Sequence, residues 1–114
     1  MKEGELLPIG SVVLLKNATH RLMVVGFATV RYDSNPPKVY DYWGSAYPEG
    51  LFDPDQHVIF NHKDNDKVIS VGYSDDSEKA FRKKIENILK QSRDENGDLT
   101  KTPQKIAALV GKEE

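Results

Sequence analysis

The chain has 114 residues, 16 of them basic and 18 acidic, a net charge of −2, and no cysteine. That length predicts one domain with one modest core, and the missing cysteines exclude disulfides and thiolate metal sites. So even a charge balance argues against a dedicated nucleic-acid module, which carries a strong basic excess.

The opening MKEGELLPIG lacks the apolar centre of a signal peptide. The longest apolar run, residues 106–110, is far shorter than the roughly 20 residues a bilayer-spanning helix needs. A cytoplasmic protein is expected, one that leaves the cell only together with a partner.

In chain order, residues 11–16 (SVVLLK) follow Pro8 and Gly10 and read as a first strand. Residues 22–32 (LMVVGFATVRY) form a second, with Gly26 marking a bulge or bend. The loop around Pro36 and Pro37 cannot donate to a ladder. Residues 38–45 (KVYDYWGS) give a third strand, with Val39, Asp41 and Trp43 on one face and Tyr40, Tyr42 and Gly44 on the other. After an irregular stretch, residues 57–62 (HVIFNH) and 67–73 (KVISVGY) are strands around the polar turn 63–66, and are expected to pair as a hairpin.

The period then changes. Asp75 and Glu78 have capping-box spacing, and Phe81, Ile85, Ile88 and Leu89 form one helical stripe, with Arg82, Lys83, Lys84 and Lys90 mostly off it. Strands first and helix last indicate an α+β domain over residues 1–93: about five antiparallel strands, as a curled sheet or partly open barrel, then one amphipathic helix. Residues 94–114 read as a flexible polar tail with a short amphipathic helix at 103–110.

No catalytic constellation stands out. His20 sits in a polar turn without a nucleophile, and His57 and His62 point to opposite faces of their strand. Asp53, Asp55 and His57 alternate like ligands but lack the spaced oxygen donors and glycine of a calcium loop, so a solvated acidic loop is the simpler reading. Asn61 before the 63–66 turn suits side-chain to backbone bonding. No serine lies in a nucleophile elbow, and the glycines are too scattered to cradle a phosphate. A non-catalytic protein without metal or cofactor is expected.

The aromatic block at 40–50 (YDYWGSAYPEG) carries three of the five tyrosines and the single tryptophan. Rigid aromatics lose little rotamer entropy on contact, so they serve core edges and partner surfaces alike. The candidate partner-binding residues are Tyr40, Tyr42, Trp43, Tyr47, Pro48 and Glu49, with Asn61 and His62 on the neighbouring rim.

Four segments carry a resemblance: LPIGSVVLL at 7–15, LMVVG at 22–26, YDYWG with YPEG at 40–50, and FNH at 60–62 before Val68 and Gly72-Tyr73. Together the chain resembles a family of small Gram-positive bacterial proteins known as domain of unknown function DUF4176, over most of its length. Where that family often has an aliphatic residue after the FNH turn, this chain has Asn65. The resemblance implies an accessory of type VII secretion that binds an LXG-type toxin near its helical N-terminal region, as a targeting factor or export chaperone. Other small helical secretion partners are compatible with it; nucleic acid and membrane are not expected. The alternatives are an immunity protein, which calls for a concentrated charge this chain lacks, and a small metal-dependent hydrolase using His57, His62 and the Asp53–Asp55 loop.

Overall fold

The computed structural model describes residues 5–33, 35–51, 53, 55 and 57–100. Five strands precede one helix: β1 Val12–Leu15, β2 Leu22–Arg31, β3 Lys38–Ala46, β4 Val58–Phe60, β5 Asn65–Ser70 and α1 Asp76–Ser92. Every neighbouring pair is antiparallel, in the order β4-β3-β2-β1-β5. This is the α+β fold expected from strands followed by a helix, with an open sheet rather than a closed barrel.

The expected hairpin between the fourth and fifth strands does not form. β4 pairs with β3 and β5 pairs with β1, at opposite edges of the sheet. The residues between them fold into a 3-10 turn, His62–Asp64, capped by Asn61. The Asp64 carbonyl accepts a bond from Lys16 N–H at 2.9 Å, which delivers the chain to β1. Alternation reveals a strand but not its neighbour, and tertiary pairing overrode proximity in sequence. Only four residues join the two edges, and these span at most about 18 Å from Phe60 to Asn65. The sheet must therefore curl strongly.

Part of that curl is visible in β2. Its register against β3 shifts between Val24 and Gly26, beside the glycine that signalled a bulge. β5 carries two such breaks, because the steps Val12/Val13 and Leu14/Leu15 on β1 each face two residues on β5.

The core joins the sheet to α1: Leu22, Val24, Val39, Tyr42 and Phe60 pack with Ile85 and Leu89. Burying each large side chain of this kind contributes roughly 1.5–3 kcal/mol. Leu6 and Leu7 complete the core although they belong to no strand. Side chains stand in for their ladder. Glu86 accepts the Leu6 N–H at 2.8 Å, Arg82 donates to the Leu6 carbonyl, and Tyr42 Oη accepts the Leu7 N–H at 2.9 Å. Arg82, expected off the apolar stripe, is thus buried, with its guanidinium on Glu78 at 2.8 Å.

Asp75 caps α1 as its spacing predicted, accepting the Glu78 N–H at 2.9 Å. The Glu78 carboxylate does not reach back to complete the box; it accepts Ser74 Oγ at 2.6 Å and pairs with Arg82. No helix among the described residues is long and apolar enough to cross a membrane.

Residues 94–99, just past the expected domain end at 93, fold back onto the sheet. Asp94 Oδ1 accepts the N–H groups of Asn96 and Asp98 at 2.9 and 3.0 Å, shaping a turn with Gly97 at φ 86. That turn is laid on the start of β3 by Val39 N to the Gly97 carbonyl and Leu99 N to the Pro37 carbonyl, both 2.8 Å. Lys38 and Asp98 add an ion pair at 2.7 Å. The helix expected at 103–110 lies outside the described residues.

Candidate functional site: an aromatic shelf and its corner

The eight candidate contact residues do not form one patch. Tyr42 is fully buried, correcting its assignment to a partner surface. Its ring packs on Phe60 at 5.0 Å between centroids. Its hydroxyl accepts from Leu7 N–H and is hydrogen-bonded to His62 Nδ1 at 2.8 Å. Burial pushes the Tyr42 phenol well above its ordinary value, against a smaller lowering by the Leu7 bond.

Asn61 and His62 belong to the same inward network. Asp41, also buried, accepts the His62 N–H on Oδ2 at 2.8 Å and pairs through Oδ1 with Arg93 at 2.6 Å. Asn61 Oδ1 accepts the Asp41 N–H at 3.0 Å. These contacts tie the 61–64 turn to β3 and to the end of α1. A cleft of about 600 Å³ opens beside them, lined also by Glu86, Leu89 and Lys90.

Trp43 stands elsewhere. Its indole lies over Gly26, where an added Cβ would come within 3.3 Å of Cδ1, and stacks against His57 at 4.4 Å. Val25, Phe27 and Leu51 complete a shallow, largely apolar depression of about 400 Å³. A mid-strand glycine beneath a cross-strand ring is what lets this large side chain lie flat across the sheet.

The Tyr47–Glu49 corner follows directly after β3. Tyr47 is exposed, with the Arg21 guanidinium 5.0 Å above its ring. Glu49 bonds His20 at 2.8 Å, which holds its carboxyl below the usual value. The Tyr47–Pro48 peptide is cis, Pro48 is exposed, and the Gly50 N–H closes the turn on the Ala46 carbonyl at 2.7 Å. Tyr40, half-buried opposite Thr29, lies at the other end of β3.

Among the described residues no three His, Asp or Glu side chains are grouped to hold a metal ion. Asp53 instead accepts the Asp55 N–H at 3.1 Å as part of a local turn.

One surface escaped the sequence reading. Val68, Ile69, Val71 and Tyr73 are all exposed along and beyond β5, next to exposed Ile9. The signal was present: apolar residues at both 68 and 69 break the alternation of a half-buried strand.

No curated protein and no solved structure matches the chain. The family model described as Domain of unknown function (DUF4176) matches residues 6–81, from the clamped Leu6 through all five strands to Phe81 of α1, and the chain belongs to that family.

Proposed function

We propose that this protein is a non-catalytic accessory that binds an LXG-type toxin, through the toxin's helical N-terminal region, for type VII secretion. The observation that carries the reading is the apolar shelf of Trp43, Val25, Phe27, Leu51 and His57. Its concave form suits side chains of an amphipathic helix, the helix-in-groove mode. Strand addition is disfavoured at both sheet edges: β4 has only three residues, and β5 is interrupted by two register breaks. Exposed Tyr47 and Glu49, just after β3, supply a separate polar and aromatic contact of the kind found at interface rims.

Co-purification with a tagged LXG toxin tests this, using full-length toxin and toxin lacking its N-terminal region. Only the former should retain the protein. Tyr47→Ala with Glu49→Lys should weaken the complex while leaving the circular dichroism of the free protein intact. Retention by the isolated toxic domain would replace this reading with immunity, and unchanged affinity of the double variant would remove the site.

A further inference from the structure

We infer that the β5 edge is a two-fold interface between two copies of this chain. Ile9, Val68, Ile69, Val71 and Tyr73 are between 43% and 79% exposed. They are contiguous: Gly72 lies so close to the 9–11 backbone that an added Cβ would meet the Ile9 carbonyl at 2.2 Å, and its N–H donates to Ser11 Oγ at 2.9 Å. Contiguous apolar surface of a few hundred Å² marks an interaction site on a small protein.

The stripe cannot simply extend the sheet. Its two register breaks leave no regular row of donors and acceptors, and they place neighbouring Val68 and Ile69 both in solvent. An occupant must engage it through side chains. Charge selects a second copy as that occupant. Exposed Lys63 and Lys67, with Asp66 between them, stand at one end, while Asp64 is drawn onto the Asn61 N–H. Exposed Asp76 stands at the other, beside Asp75, whose Oδ1 caps α1 through the Glu78 N–H.

An isologous interface demands this polarity, because each end of the stripe meets the opposite end of its copy. Val71 lies midway in sequence between Ile69 and Tyr73, and between Lys67 and Asp75. A two-fold axis at Val71 therefore sets Ile69 against Tyr73 and Lys67 against the acidic end.

Sedimentation equilibrium of the full chain over a concentration series tests this. A dimer is expected for the wild type. Val71→Glu, which sets two like charges on the axis, should leave a monomer with unchanged circular dichroism. Lys67→Glu should weaken the dimer roughly tenfold at low salt, through two symmetric pairs, and Lys67→Glu with Asp76→Lys should recover most of that loss. A wild type that stays monomeric, or a charge swap without recovery, overturns the inference. Loss of toxin capture by Val71→Glu from a monomeric wild type would assign the stripe to the toxin instead. The proposed toxin contact is tested separately, through the truncated toxin and the Tyr47–Glu49 corner, so the two readings fail independently.

Discussion

Tyr42→Phe removes one oxygen from the centre of the molecule and leaves its volume almost unchanged. The ring keeps its packing on Phe60 and Phe27, so no cavity forms. What is lost is the acceptor for Leu7 N–H at 2.9 Å and the hydrogen-bond partner of His62 Nδ1 at 2.8 Å. Leu7 is fully buried, so its N–H is left without water or partner. Such a group costs about 1–3 kcal/mol. His62 is half-buried and regains solvent, adding little. The expected loss is about 2 kcal/mol, a large share of the 5–15 kcal/mol typical of a domain. With a urea slope of about 1–3 kcal/mol/M, the midpoint should fall by roughly 1 M.

A pH series makes the prediction sharper. The folded-state Tyr42 phenol is raised above its unfolded value of 10.0. Its contribution is therefore complete below pH 10 and declines above it, as the unfolded chain releases a proton that the native state retains. In the native protein stability should fall by about 1.4 kcal/mol per pH unit above 10 from this group alone. Tyr42→Phe should lack that component of the slope. An unchanged urea midpoint at neutral pH would refute the bond from Leu7, and an unchanged alkaline slope would refute the burial of the hydroxyl.

Three further outcomes are expected. Both amide atoms of Asn65 are buried without a hydrogen-bond partner, so Asn65→Leu should stabilise the protein by about 1–2 kcal/mol, and a lowered melting temperature would contradict it. Gly72→Ala forces a methyl group onto backbone atoms at 2.2 and 2.9 Å, neither of which can swing aside. It should destabilise by at least about 1–3 kcal/mol, and a wild-type denaturant midpoint would show that the segment after β5 does not pass so close to Ile9 and Ser11. Arg82→Ala leaves the half-buried Glu78 carboxylate with Ser74 Oγ alone and takes the side-chain donor from the Leu6 carbonyl, for a loss of about 1–3 kcal/mol. A loss under about 1 kcal/mol would place Arg82 in solvent.

The candidate site shows where local reading succeeds. The Gly26 bulge and the Asn61 turn were legible because each depends on residues whose geometry is set nearby: a glycine in a strand, an Asx side chain before a tight turn. Tyr42 was misread for the opposite reason. Alternation along β3 separates Tyr42 from Val39, yet both are core residues. A curled sheet covered by a helix and by the Leu6–Leu7 segment buries parts of both faces.

By itself the sequence determined the five strands and one helix of the described residues, the helix start at Asp75 and the bulge beside Gly26, because backbone propensity and period act over a few residues. Only the tertiary structure decided that β5 joins β1, that Arg82 and Glu86 clamp the backbone of Leu6, and that Val68, Ile69, Val71 and Tyr73 face water. Those outcomes turn on which distant surfaces exclude water together and which buried backbone groups find partners, and neither is encoded in the spacing of neighbouring residues.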